Sequence, residues 1–341
     1  MASNSRTGYL AIGKQADRTT QATSFIKTLA LTSGMGVTFD ESDELKEHPT
    51  SVAGTSFAMA SPKTRTGFLV PWSGNFVLRP NFFPRALQAL GFTVTTGAGP
   101  EANTYSHVCT VDTDANMLWM SVISNIGGST FSRRALSARA SALNITANNT
   151  DIRCDISGTG LNEGNVSGSP TFTSEVTTQL LPTAGSLTAN FDGGTLTSTI
   201  RGLTCNIAQP LKEGKEELPL FQADRESLDR QNIDCTGDLQ GIDADFDLWK
   251  KIIRGGTSGT TPSLTVAPGD LNYAFNSASY IGATTTLFSV TFDLPSVMYT
   301  LQNEGIRNNN DDLVRVAVGY NVIADVATPI TITVINGVAS Y

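Results

Sequence analysis

Thr66-Gly-Phe-Leu-Val-Pro-Trp-Ser-Gly-Asn-Phe-Val-Leu78 alternates, with Phe68, Val70, Trp72, Phe76 and Leu78 on one parity. An apolar residue at every second position marks a strand with one face on a core and the other on polar surroundings. Asn81-Phe-Phe-Pro-Arg-Ala-Leu-Gln-Ala-Leu-Gly91 follows directly. Asn81 stands where an N-cap is needed, Pro84 falls in the first turn, and Gly91 sits just past the last apolar residue. That spacing predicts a helix over Phe82–Leu90. A strand feeding a short helix is therefore the local unit.

Further alternating segments extend this reading. Thr28–Phe39 carries Leu29, Leu31, Met35, Val37 and Phe39 on one parity. Leu136–Ile145 and Ile152–Ile156 flank Ala147-Asn-Asn-Thr150, a hairpin pattern. Over Leu228–Gly241, Arg230, Asn232, Asp234, Thr236, Asp238 and Gln240 share one face, and Ile233, Cys235 and Leu239 the other. A second helix is predicted over Phe246–Arg254, after Asp245 and before Gly255, with Phe246, Trp249, Ile252 and Ile253 on one side. The 31 Gly and 14 Pro punctuate short segments. The fold class expected is mainly β with two short helices.

The two strand–helix segments also align with each other. Trp72, Gly74, Phe76, Phe83, Ala86 and Leu90 precede Cys235, Gly237, Leu239, Phe246, Trp249 and Ile253 by a constant 163 positions. Upstream, Met35, Val37 and Phe39 precede Leu203, Cys205 and Ile207 by 168. The colinear order predicts two tandem β units. Residues 1–182 form the first, with an N-terminal arm and a long loop at 40–63; residues 183–341 form the second, the two joined near Leu181–Gly194.

Composition excludes several classes. The 341 residues are 40% hydrophobic and 16% charged, enough apolar material for sizeable cores. The net charge of −8 without a basic block argues against a reader of duplex DNA. Residues 1–182 hold 13 basic and 13 acidic side chains, and 183–341 hold 10 and 18, so the second unit carries the whole net charge. Two His and four dispersed Cys (Cys109, Cys154, Cys205, Cys235) do not form a metal-site pattern, and the thiols read as free and buried. No apolar run reaches the roughly 18 residues of a membrane helix. The polar opening Met1-Ala-Ser-Asn-Ser-Arg6 lacks a signal-peptide core, so the chain is expected to stay in the cytoplasm where it is made.

No chemical motif is complete. Asp243-x-Asp245-x-Asp247 lacks the glycine and glutamate of a calcium loop and reads as helix capping. Gly54-Thr-Ser56-Phe-Ala58 replaces the last glycine of a nucleophile elbow and lies in a polar stretch. Arg133, Arg134 and Arg139 read as a solvated hairpin face. No catalytic residue, cofactor site or metal site is expected.

The opening Gly8-Tyr-Leu-Ala-Ile-Gly-Lys-Gln15 resembles the start of tail tube proteins of long, non-contractile bacteriophage tails. Gly67-Phe-Leu-Val-Pro-Trp-Ser-Gly74 with the helix ending at Gly91 is similar to that family too, as is Ile200-Arg-Gly-Leu-Thr-Cys205. The resemblance implies β-sandwich or partly closed barrel units, each with one flanking helix, whose strands join edge to edge into stacked rings around a β-barrel lumen. It implies a structural virion protein rather than an enzyme, in a tail that conducts DNA without binding it specifically. Partners would be further copies of the chain, the tape-measure protein, the tail terminator and the tail tip, with no membrane. With two units per chain, a trimer would act as a pseudo-hexameric ring. Lumen-facing residues would be Asp234 and Asp238, with Ser73 and Asn75 in the first unit. Asp40, Glu41, Asp43, Glu44 and Glu47 would lie on a loop reaching the adjacent ring. The alternative is a β-sandwich receptor- or glycan-binding tail fibre or adhesin module.

Overall fold

A computed structural model describes residues 8–29, 38–39, 44–47, 63–67, 69–111, 118–125, 132–166, 168–174, 180–191, 194–195, 200–212, 228–243, 246–256, 260–262, 268–301 and 315–341. The fold is mainly β, with two short helices among the described residues. In chain order the first elements are β1 (Tyr9–Lys14), β2 (Ser24–Leu29), β3 (Thr38–Phe39), β4 (Glu44–Glu47), β5 (Lys63–Gly67), β6 (Val70–Val77) and α1 (Phe83–Leu90). There follow β7 (Phe92–Ala98), β8 (Tyr105–Val111), β9 (Met120–Asn125), β10 (Ser132–Ala147), β11 (Ile152–Gly160), β12 (Asn162–Asn165) and β13 (Thr171–Ser174). The remainder are β14 (Leu180–Phe191), β15 (Gly194–Thr195), β16 (Gly202–Ala208), β17 (Asp234–Asp243), α2 (Phe246–Arg254), β18 (Gly269–Tyr280), β19 (Leu287–Leu301), β20 (Arg315–Val322) and β21 (Thr331–Asn336).

Nineteen of the strands belong to one hydrogen-bonded system. Traced pair by pair among the described residues, its pairings form a branched ribbon without a closed circuit. A central antiparallel sheet runs β3–β6–β11–β10–β16–β17–β20–β19, using the second halves of β10 and β19. The first half of β10 belongs to a second sheet, β13–β2–β1–β9–β10–β12, in which only β13–β2 is parallel. The first half of β19 belongs to a third, β14–β18–β19–β21–β8–β7. Both long strands thus bend from one sheet into another.

The bend in β10 has a local cause. Its register shifts at Ala135/Ala138 and again at Ala140/Ala142. Bulges of this kind re-aim a strand. Within the first of them Ser137 takes φ 51°, a left-handed conformation that costs a residue with a Cβ some strain. The buried Gln15 side chain holds it there: Oε1 accepts from the Ser137 amide at 2.8 Å, and Nε2 donates to the Thr20 carbonyl at 2.8 Å. Gly158 faces the second bulge, where a Cβ would come within 2.0 Å of the Arg139 carbonyl.

The core fills the space behind the central sheet. Val70, Trp72, Phe76 and Leu78 alternate inward on and just past β6, as their parity predicts. All eight residues of α1 are buried, and Phe83 meets Phe292 of β19 at 6.0 Å between ring centroids. The helix starts one residue later than its sequence spacing suggests. Phe82, not Asn81, is the N-cap, without a side-chain cap bond, while Gly91 closes the other end at φ 107°. Asn81 instead contributes its carbonyl to the C-terminal tie, accepting from the Tyr341 hydroxyl at 2.7 Å. The segment near Leu181–Gly194, read from sequence as a joint, holds strand β14, so the division at 182/183 falls inside a strand. Likewise β17 begins at Asp234, and Arg230 forms only an isolated bridge to Leu211.

A buried polar chain anchors the C-terminus. His107 Nε2 donates to Asn336 Oδ1 at 2.9 Å, so Nδ1 accepts from the Thr96 hydroxyl at 3.0 Å. Asn336 Nδ2 donates to the Pro80 carbonyl and the Tyr341 hydroxyl, at 3.0 and 2.8 Å. Burial holds the His107 imidazole below its ordinary pKa, against a smaller opposing effect of the Asn336 bond. A neutral buried imidazole stabilises the fold fully above its unfolded pKa of about 6.5, and that contribution is lost as pH falls below it. The melting temperature of the parent chain is expected to fall relative to His107→Gln between about pH 7 and pH 5; parallel pH curves would remove the linkage.

Candidate functional site

Because side chains alternate along a strand, the central sheet has two faces of opposite character. One is the core face, with Ile156, Leu143, Ile145, Cys205, Ile207, Cys235, Leu239 and Val318 buried. On the other, residues line up across strands in rows. One row is Asn75, Asp155, Asn144, Asn206, Thr236, Asn321, Met298, from β6 to β19. The next is Val77, Arg153, Thr146, Thr204, Asp238, Gly319, Thr300. A third begins Ser73, Ser157, Ala142, Ala208, Asp234. Asn144, Asn206, Asp234, Asn321 and Thr300 are exposed, and the rest are mostly half-buried.

The polar groups hold one another in place. Asn75 Nδ2 donates to Asp155 Oδ1 across the β6–β11 pair. The Thr204 hydroxyl donates to Asp238 Oδ2 at 3.3 Å and accepts from the Asp238 amide at 3.0 Å. Arg153, between Val77 and Thr146 in its row, is tied to Asp151 at 2.7 Å. A shallow groove runs between Ser73, Asn75, Asn144, Asp155 and Ser157. These are amides, hydroxyls and carboxylates spread over a surface, not converging on a point. Among the described residues no three His, Cys, Asp or Glu side chains gather as a metal would require.

The sequence-derived residues fall as follows. Ser73 and Asn75 on β6, and Asp234 and Asp238 on β17, occupy the same polar face, separated by β11, β10 and β16. The sequence reading missed Asp155, Asn144, Asn206 and Asn321. The alternation in Ile152–Ile156 and Leu136–Ile145 held the signal for the first two. Of the residues assigned to a reaching loop, Asp40, Glu41 and Asp43 lie outside the described residues. Glu44 and Glu47 are on β4, which pairs antiparallel with β5 in a separate two-stranded sheet. Asp245 and the Gly54–Ala58 segment also lie outside them.

The arginine cluster is corrected. Arg139 is fully buried, stacked 3.9 Å from the Trp119 ring centroid and donating to the Leu228 carbonyl. Burial, and secondarily Arg230, bring its pKa down to about 9. Opposite Thr159 on β11, it is covered by Trp119 and the Leu228 segment instead of solvent, against the solvated face read from sequence. Arg133 pairs with Glu163 at 2.5 Å within the chain. The four cysteines are free and buried as expected; burial pushes Cys109 up to about 12, which keeps it inert.

Compared with known proteins, no family model and no curated protein matches this chain.

The two faces predict unequal costs along one strand. Asn144→Ala and Asn206→Ala are expected to change stability by no more than about 0.5 kcal/mol. Leu143→Ala or Ile145→Ala should cost about 2–5 kcal/mol. Denaturant unfolding of the four variants measures the contrast, and equal costs would contradict it.

Proposed function

We propose that this chain is a structural tube subunit, similar to tail tube proteins of long bacteriophage tails, with the polar face of the central sheet lining a conduit for DNA. One observation carries the reading: a single sheet passes through both halves of the chain, apolar behind and polar in front, and among the described residues each end is a strand edge. Such an edge is a template for another chain unless something covers it. Repetition of the sheet around an axis would give a ring with a continuous polar wall. Stacked rings would give a tube assembled in the host cytoplasm and carried in the virion, engaging the tape-measure protein, terminator and tip.

In this reading the chain consists of two tail-tube-type β units, and three chains make a pseudo-hexameric ring. The recurrence of strand partners supports it. Phe39 lies opposite Trp72 and Ile207 opposite Cys235, matching the two sequence offsets at once. β6 is flanked by β3 and β11 and followed by α1; β17 is flanked by β16 and β20 and followed by α2. Gly158 and Gly319 do not correspond in this way: Trp72 faces Gly158, whereas Asp238, three residues past Cys235, faces Gly319.

The wall chemistry suits a polyanion in transit. Binding to DNA comes chiefly from cations that displace its counterions. Asp155, Asp234 and Asp238 among amides and hydroxyls offer no such gain, Arg153 in the same rows is paired with Asp151, and screening over about 8 Å at physiological salt keeps repulsion local.

Negative-stain electron microscopy of the purified chain over a concentration series tests the proposal. Hollow rings or tubes are expected; solid particles at every concentration would favour a receptor- or glycan-binding module instead. Asp234→Lys with Asp238→Lys is expected to leave assembly intact and slow DNA delivery. Unchanged delivery by assembled particles would take both residues off the wall.

A further inference from the structure

The central sheet contains a joint between the two halves of the chain. Ala142–Ala147 of β10 pairs antiparallel with Leu203–Ala208 of β16, with Leu143 opposite Ile207 and Asn144 opposite Asn206. The same two kinds of edge recur at the ends of the sheet. At one end is β3, paired with β6 on one side. At the other is the last part of β19, paired with β20 on one side and, at Val297, with Gly269 on the other. Past Val297, the outer edge at Thr300 and Leu301 meets no strand among the described residues.

The correspondence can be followed residue by residue. Phe39 faces Trp72 as Ile207 faces Cys235, so Phe39 takes the place of Ile207. Leu143 faces Ile156, which faces Gly74, two residues past Trp72. Gly237, two residues past Cys235, faces Tyr320, which faces Tyr299. Tyr299 therefore takes the place of Leu143, and Thr300 that of Asn144. Side-chain environment follows the same correspondence: Leu143 and Tyr299 are buried, and Asn144 and Thr300 are exposed on the polar face.

We infer that a second copy of this chain supplies the missing neighbour. Its β3 pairs antiparallel with the end of β19, with Thr300 opposite the second copy's Thr38 and Tyr299 opposite its Phe39. The contact is heterologous, one edge meeting a different edge, so it propagates from copy to copy and closes only as a ring. It repeats between chains the joint that β10 and β16 make within one. This inference rests on the tube reading and adds the register of the joint.

Cysteine pairing tests it on the full chain. The four native thiols are buried and free, which keeps background crosslinking low. Directly opposed strand residues bring their Cβ atoms to about 4.5–5.5 Å, near enough for a disulfide with slight adjustment. Chains carrying Thr38→Cys alone and Thr300→Cys alone are mixed, oxidised with copper phenanthroline and run without reductant, with the parent chain as control. Covalent dimers are expected from the mixture and not from either variant alone. The double variant T38C/T300C should convert monomer into multimers up to the copy number of the ring. Melting curves report folding, and slowed amide exchange at residues 298–301 on assembly of the parent chain provides a readout free of substitution. Hollow rings without the crosslink or the exchange protection would overturn the register and leave the tube reading standing. A single variant linking to itself would show a self-complementary contact and overturn the joint. Absence of any assembly, crosslink or protection would overturn both.

Discussion

The antiparallel pairing of β10 with β16 is the constraint on which the rest of the molecule depends. Six consecutive pairs, Ala142↔Ala208 to Ala147↔Leu203, carry one sheet across from the first half of the chain to the second. Its register has no freedom. A slip of one residue would turn Leu143 and Ile145 toward water and bring Asn144 into the core, leaving a buried amide without partners. The hydrophobic alternation of β6, β11, β16 and β17 is thereby locked in phase, and the polar rows on the opposite face follow from that phase without further specification.

Serving two sheets from one strand requires bends, and the chain makes them with polar groups in the interior. Gln15 satisfies the amide of left-handed Ser137, and Arg139 lies under the bend against Trp119 and the Leu228 carbonyl. A buried guanidinium is costly unless its neighbours compensate, which makes this corner sensitive to change. The His107–Asn336–Tyr341 chain does comparable work at the other side, tying the last residues to the turn before α1. With the helix itself buried on every side, the central sheet rests on a core drawn from both halves of the chain. On the proposed tube reading, a wall whose neighbours attach along its edges would benefit from such backing.

Much of the strand content was readable because period-two alternation survives wherever a strand stays in one sheet. β6, the β10–β11 hairpin and both helices lie close to where spacing placed them. The exceptions share a cause. Arg139 was misplaced because Trp119 and the distant Leu228 segment cover it, and β14 was read as a joint because Pro182 and small polar residues mask its pairing with β18. Asp155, Asn144, Asn206 and Asn321 went unnoticed as one surface, since nothing in the local pattern shows that their strands are neighbours.

By itself the sequence determined the mainly β class, the strand–helix units, the buried thiols and the lack of a complete catalytic or metal motif. These follow from local chemistry: alternation, capping residues and residue type. Only the tertiary structure decided which strands adjoin, that both halves share one sheet, and that scattered asparagines and aspartates align into rows. Strand order is set by pairings across long stretches of chain, and a pattern of period two records which face a residue takes but not which strand lies beside it.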